Sequence, residues 1–501
     1  MCAIMGFTKK SRTREEILPY FDQTLSRGPD MSSVVETPSG WLCFHRLAIM
    51  GLDESGMQPF SLDGDMVVCN GELYGWRELR TELEGKGYTF QSGSDCELLL
   101  PLYREYGLDM FSMLDAEFAL ILYDSRTDSL VAARDPIGIR PLFYGYDYDG
   151  GIVFASEAKN LIDMCKEIFP FPPGHYYAGG EFVRYADLTT VDVYRKDDLE
   201  TVCKNIRAKL IAGVEKRLDA DAPLGFLLSG GLDSSLVSAV CAAELRKNGR
   251  KLTTFSFDFT GNDLYFRSND FQPTRDRPYA EEMADYLKTD HHFLECGSLT
   301  LEKRLSDSVL AHDLPAMGDI DSSLLQFCSM VKDHCKVALT GECADEIFGG
   351  YPWFHKESCL RANTFPWTMD LAPRKLLLKD DFLAVLHMDE YVKNAYEHSL
   401  ARTPRCPEDT PLEARRREIS WLNLNWFMRT LLERMDRTSM YCGLEARVPF
   451  ADHRIIEYLW NVPWEMKAKD GVAKGLLRHA AKGLLPEEVL WRKKSPYPKT
   501  Y

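Results

Sequence analysis

Leu224-Gly-Phe-Leu-Leu-Ser-Gly-Gly-Leu-Asp-Ser-Ser235 is the stretch on which the reading of this chain turns. Residues 224–228 are a short, wholly apolar run, as a strand buried on both faces requires. A Gly/Ser loop follows, then a helical pattern from Ser235 to Arg246, then a strand-like run from Leu252 to Phe257. Strand, helix and strand within about 35 residues form a βαβ unit, which predicts a doubly wound parallel sheet. The loop carries its own chemistry. Gly230 and Gly231 let backbone N–H groups approach a phosphate, and a helix start offers unpaired donors of positive character. Ser229 and Ser234 add hydroxyl donors. Asp233 suits an anion only with Mg²⁺ between them, which is how ATP arrives. The pattern GxxxxGK[ST] is absent, which disfavours a kinase or GTPase.

Downstream, Val337-Ala-Leu-Thr340 reads as another strand, ending at Gly341-Glu-Cys-Ala-Asp-Glu346. Loops at the carboxyl ends of parallel strands share a crevice, so Glu342 and Asp345 are expected to face Asp233 across a nucleotide. Upstream, Leu199 to Arg217 has helical periodicity at Leu199, Val202, Ile206, Leu210, Ile211 and Val214. The pattern changes before that. Phe118–Tyr123 and Leu130–Ala133 are strand-length runs joined by the polar turn Asp124–Asp128, a hairpin signal. Arg140–Tyr144 and Ile152–Ala155 flank Asp147-Tyr-Asp-Gly-Gly151 in the same manner. The first part therefore reads as antiparallel sheet with a few helices, an α+β layering. The expected domains are 2–190 and 195–501, with residues 352–422 helix-rich and polar.

A chain of 501 residues suits two or three domains. Its apolar share of 45% and charged share of 27% are those of an ordinary globular protein. A formal net charge of −16 repels phosphate backbones and anionic membranes, so neither nucleic acid nor a membrane is an expected partner. No apolar run nears the roughly 18 residues of a membrane helix. The N-terminus has no signal-peptide core, and the 14 cysteines are scattered singly, as reduced thiols would be. Together these predict a cytoplasmic protein.

Cys2 offers a second chemistry. With Met1 removed, its thiol and a free α-amine of pKa about 8 belong to one residue, so no histidine is needed as base. A thiolate attacking an amide needs an oxyanion hole, which Asn70 and Gly71 can provide. Arg46 suits the α-carboxylate of glutamine, and Glu72 and Asp95 suit its α-ammonium.

These segments resemble the asparagine-synthetase family. Ser229–Ser235, Thr340-Gly-Glu-Cys-Ala-Asp-Glu-Ile-Phe-Gly-Gly-Tyr351, Gly443-Leu-Glu-Ala-Arg-Val-Pro-Phe450 with Asp452, and Gly471-Val-Ala-Lys-Gly-Leu-Leu-Arg478 follow its order. Met1–Ile4, Arg27-Gly-Pro-Asp30, His45–Ile49, Asn70–Glu72, Gly93–Asp95, Arg134–Tyr144 and Ala155–Glu157 match N-terminal-nucleophile glutamine amidotransferases. The resemblance implies an αββα sandwich followed by an ATP-pyrophosphatase domain with extra helices. It implies that Asp233 and Asp345 bind Mg²⁺–pyrophosphate, that Lys474 contacts phosphates, and that Leu227, Phe257, Thr340 and Gly341 line the adenine and ribose pocket. Glu342 would orient or deprotonate ammonia, and backbone around Ile49 and Met50 would contact glutamine. ATP with Mg²⁺, glutamine and a carboxylate are the implied substrates. A shielded ammonia passage is implied too, and a homodimer is left open. Ala3 departs from the family's usual glycine.

The acceptor is the other departure. Many asparagine synthetases carry an Arg and Ser/Thr-rich segment where this chain has Met317-Gly-Asp-Ile-Asp-Ser-Ser323. Asp319 and Asp321 would repel an α-carboxylate unless they hold a metal, pair with a basic side chain or meet an amine. Aspartate is the expected acceptor, and another carboxylate such as cell-wall diaminopimelate is the alternative. A β-lactam-synthetase-like cyclase would dispense with Cys2, Arg46, Asn70 and Asp95, and a silent homologue with Cys2, Asp233 or Glu342. All are present.

Overall fold

The computed structural model describes residues 2–8, 12–192, 196–269 and 272–498. Met1, residue 195 of the expected boundary and Tyr501 lie outside them.

The first part of the chain builds two six-stranded antiparallel sheets. One contains β1 (Cys2–Phe7), β2 (Met31–Glu36) and β3 (Trp41–Arg46). The other contains β4 (Phe60–Leu62), β5 (Asp65–Leu73), β6 (Ala116–Asp124) and β7 (Ser129–Arg134). The chain then returns to the first sheet with β8 (Phe143–Asp147), β9 (Ile152–Ala155) and β10 (Cys165–Pro170), and closes the second with β11 (His175–Ala178) and β12 (Glu181–Arg184). The orders are β10-β8-β9-β1-β3-β2 and β12-β11-β7-β6-β5-β4. Strand alternation distributes the side chains. Cys2 and Ile4 point between the sheets with Val68, Ala119 and Ile121, while Ala3 and Met5 point outward onto Ile17 and Phe21 of helix Arg14–Phe21. Val67, Cys69, Leu120 and Leu122 face Leu98, Leu99, Leu102 and Phe111 on the other side. Each sheet is covered on both faces, giving the αββα layering and the nearly continuous apolar runs of β6 and β7. The expected hairpin pairs Asp124 with Ser129.

Arg140-Pro-Leu142 is not strand, contrary to expectation, and β8 begins at Phe143. Asp135 explains why. Its carboxylate accepts the N–H groups of Ile137 (3.0 Å), Gly138 (2.7 Å), Ile139 (3.0 Å) and Arg140 (3.1 Å), winding 135–140 into a closed loop.

The second part holds a five-stranded sheet, all parallel: β13 (Leu224–Leu227), β14 (Thr253–Phe259), β15 (Asp290–Cys296), β16 (Val337–Leu339) and β17 (Glu445–Arg447), in the order β15-β14-β13-β16-β17. Helix Leu199–Lys216 buries the periodic residues Val202, Ile206, Leu210 and Val214. It joins helix Leu232–Lys247 on one face, and helices Asp319–Lys332 and Met428–Tyr441 cover the other. The sheet is doubly wound, as expected. The chain leaves β13 toward β14 and β15, then returns to add β16 and β17 on the opposite flank. The switch point of the topology therefore falls between β13 and β16, where open α/β sheets form their ligand crevice. The helix after β13 starts at Leu232, three residues earlier than the pattern placed it, so Asp233 lies in its first turn. Among the described residues no helix is long and apolar enough to cross a membrane.

Candidate functional site

The two loops at the switch point touch through glycine. A Cβ on Gly341 would lie 2.6 Å from Ser234 N and 2.9 Å from Asp233 C, so any side chain there would wedge the loops apart. Gly230 has φ +71°, and a Cβ on it would meet Ala280 N and Tyr279 C at 2.5 Å. Its carbonyl accepts from Arg492 Nη1 at 3.0 Å, and Arg492 is fixed on Asp276 at 2.6 Å with its guanidinium over the Tyr279 ring. Inside the turn, Ser229 Oγ and Ser234 Oγ lie 3.0 Å apart and Ser234 Oγ accepts from Ser229 N at 3.2 Å.

Four charged residues from distant parts of the sequence converge here. Lys474 Nζ donates to Asp233 Oδ1 at 2.9 Å and Oδ2 at 2.6 Å, and lies 2.8 Å from Asp345 Oδ1. Lys494 pairs with the other oxygen of Asp345, its ammonium over the Tyr351 ring at 4.7 Å. Lys474 is 3% exposed. Burial lifts the Asp233 carboxyl, only partly offset by Lys474. Burial acts on Asp345 too, but two lysines outweigh it and hold that carboxyl below the usual range. Carboxylate oxygens from two loops thus already share one cation. Among the described residues no three His, Cys, Asp or Glu side chains gather as a metal cage. Two carboxylates with nucleotide phosphates are, however, the donor set Mg²⁺ takes.

Glu342 sits beside this cluster. Its N–H is held by Thr340 Oγ1 at 2.9 Å, and its Oε1 lies 3.4 Å from Arg434 Nη2. Burial raises its pKa. Leu227 ends β13, and Phe257 packs 5.3 Å from Phe327 in the core behind the crevice.

The other candidate centre lies between the two antiparallel sheets. Cys2 N donates to Asn70 Oδ1 at 2.9 Å, while Asn70 Nδ2 is buried with no partner among the described residues. Burial pushes the Cys2 thiol up to about 11. Gly71 and Glu72 continue along β5. Arg46 donates to the carbonyls of Asp53 (2.5 Å), Met50 (3.2 Å) and Gly51, drawing the 50–53 loop around itself. Ile49 O accepts from Asp221 N (3.1 Å) and Ala222 N (3.2 Å), so this loop leans on the segment leading into β13. Asp95 Oδ2 accepts from Leu73 N at 2.6 Å, and burial raises its carboxyl to about 6. Glu72 Oε2 lies 3.2 Å from Arg447 Nη2, in β17 of the parallel sheet.

A buried ionic seam joins the two centres. Arg27, 1% exposed, donates Nε to Cys2 O at 3.2 Å and Nη1 to both Glu157 and Asp436 at 2.8 Å. Arg140 pairs with Glu117 at 2.8 Å, and Glu117 also pairs with Arg217 at 2.7 Å. Sequence reasoning assigned no role to Lys494, Arg434, Arg447 or Asp436. Lys494 stood in the basic run Trp491-Arg-Lys-Lys494 and Arg447 in a quoted motif, but their partners are remote in sequence.

Residues 205–501 match the family model described as asparagine synthase, and residues 1–171 match a glutamine amidotransferase domain. The chain is 39% identical to asparagine synthetase [glutamine-hydrolyzing] 3 of Bacillus subtilis, over all of this chain and 87% of that protein. It is 32% identical to asparagine synthetase [glutamine-hydrolyzing] 2 of rice, Oryza sativa, covering 99% and 76%. To a probable asparagine synthetase of Dictyostelium discoideum it is 30% identical, covering 99% and 84%.

Proposed function

Because the chain belongs to the family of glutamine-hydrolysing asparagine synthetases, we propose that it amidates aspartate to asparagine at the expense of glutamine and ATP, releasing glutamate, AMP and pyrophosphate. Residues 2–190 form the glutaminase and 195–501 the synthetase. The observation that carries this is the pairing within one chain of Cys2, whose backbone N–H donates to the Asn70 side-chain oxygen, with a carboxylate–lysine cluster at a parallel-sheet switch point.

In the glutaminase, the Cys2 amine exposed by removal of Met1 accepts the thiol proton. The thiolate attacks the glutamine side-chain carbonyl. Asn70 Nδ2 and the Gly71 N–H take the developing oxyanion, ammonia departs, and water releases glutamate from the thioester. Arg46 exchanges loop carbonyls for the glutamine α-carboxylate, Glu72 and Asp95 receive the α-ammonium, and backbone around Ile49 and Met50 completes the pocket. In the synthetase, Ser229, Gly230, Gly231 and Ser234 cradle the pyrophosphate, with Leu227, Phe257, Thr340 and Gly341 around the nucleoside. Asp233 and Asp345 hold the Mg²⁺ that accompanies ATP and neutralises its phosphate charge. Lys474 moves from the two carboxylates to the phosphates. The acceptor carboxylate displaces pyrophosphate to give an acyl-AMP, and ammonia oriented by Glu342 displaces AMP.

The test is Cys2→Ala. With ATP and aspartate, the variant should form asparagine and AMP from ammonium chloride but none from glutamine. A folded variant inactive with both nitrogen sources, or active with both, would sink the two-centre scheme.

A further inference from the structure

Asp321 is a buried charge with an unmet need. The residue is 1% exposed, in the first turn of helix Asp319–Lys332. One carboxylate oxygen accepts from Met317 N, while the other, Oδ1, has no hydrogen-bond partner among the described residues. A buried ionised oxygen left unpaired is costly, so a group of opposite charge is expected there. The cations nearby are committed elsewhere. Arg437 is held by Glu157 at 3.3 Å and by Asp313. Both ring nitrogens of His312 are engaged, with Ser308 O at 3.0 Å and Thr438 Oγ1 at 3.2 Å. Asp319, by contrast, is exposed at the surface.

Arg434 shows the complementary deficit. Among the described residues its Nε is buried without a partner and its Nη1 reaches only the weak thioether acceptor of Met317 at 3.6 Å, and its contact with Glu342 is long at 3.4 Å. A guanidinium so placed is suited to a bidentate carboxylate. Met317 touches both residues, its N–H on Asp321 and its sulfur on Arg434. The two charges therefore meet through Met317, with Glu342 on Arg434's other side, and among the described residues they do not pair with each other.

We infer that Asp321 and Arg434 form the acceptor's recognition subsite, Asp321 receiving an α-ammonium and Arg434 the neighbouring α-carboxylate of an α-amino acid. This rests on the synthetase reading above and narrows it. Asp321 is an attractive contact for the amine, which answers the repulsion that the Met317–Ser323 segment poses to a bare dicarboxylate. The residues select the acceptor and take no part in bond making.

The experiment compares aspartate with succinate, which lacks the amine, and with β-alanine, which lacks the α-carboxylate, by AMP release with ATP, Mg²⁺ and ammonium chloride. The full-length wild type should favour aspartate over either analogue by at least about 100-fold in kcat/KM. Asp321→Asn should raise the aspartate KM roughly 10- to 100-fold and erode the preference over succinate by a similar factor. The preference over β-alanine should be kept. Glutamine hydrolysis by the same preparation reports on folding. If the variant loses aspartate and succinate turnover equally, or the wild type adenylates succinate as readily as aspartate, the assignment is overturned. No AMP with aspartate in the wild type would overturn the synthetase reading, and this one with it.

Discussion

At Asn70 the two ends of one amide side chain are set up differently. Its oxygen is held by Cys2 N, which fixes the plane of the amide, and that leaves Nδ2 as a preorganised donor with nothing to lose when an oxyanion forms. Asn70→Ala should therefore lower kcat for glutamine hydrolysis by about 10²- to 10³-fold while AMP formation from ammonium chloride continues. Stopped assays of glutamate release and AMP release separate the two. Asp233 gives the reciprocal case. With its partner Lys474 buried and bound to both loops, Asp233→Ala leaves the proposed nucleotide site short of one carboxylate and Lys474 held by Asp345 alone. AMP release should vanish while glutamine hydrolysis persists, and normal AMP release would contradict the role given to it.

At the level of elements, the crevice proposed for the nucleotide depends on how closely the turn after β13 approaches the turn after β16. Gly341 is the contact. Gly341→Ala must push back Ser234 N or Asp233 C, both backbone, and neither turn can yield separately because Gly230 is pinned by Arg492. The overpacking should cost about 1–3 kcal/mol, and the KM for ATP should rise more than the KM for glutamine. Equal changes in both would show that the turns are not rigid against each other. Thr340 N also donates to Arg447 O at 3.0 Å, and Arg447 meets Glu72, so the edge strand β17 connects this turn to β5.

Across the whole molecule, the seam between the two parts of the chain is held by charges that water does not reach. Removing one partner of such a group costs far more than the pair contributes, because the survivor stays buried and unpaired. Glu157 is one titratable carboxylate of the seam. Burial alone would lift its carboxyl, but Arg437, Arg27 and Lys159 outweigh it and hold the group at about 2, against an ordinary 4.5. A depressed folded-state value stabilises the fold fully above the unfolded value and is lost as pH falls through the folded one. Acidification from about pH 4.5 toward 2 should thus lower the melting temperature, and replacing Glu157 by Gln should flatten that slope. Calorimetry on wild type and variant across this range checks it; parallel slopes would remove Glu157 from the account.

Sequence alone determined what is written locally. Leu224–Ser235 announced a buried strand, a glycine-bearing turn and a helix, and Phe118–Ala133 announced a hairpin, because periodicity and turn chemistry act over a few residues. Where a local feature competed, as Asp135 does by gathering four N–H groups, the strand reading of Arg140–Leu142 failed. Only the tertiary structure decided which charges meet. Lys474 lies 241 residues from Asp233, Arg447 follows Glu72 by 375 residues, and among the described residues Asp321 forms no ion pair although basic residues lie near it. The partner of a charge is selected by burial and by strand order, which bring distant segments together, and no pattern in neighbouring residues encodes that encounter.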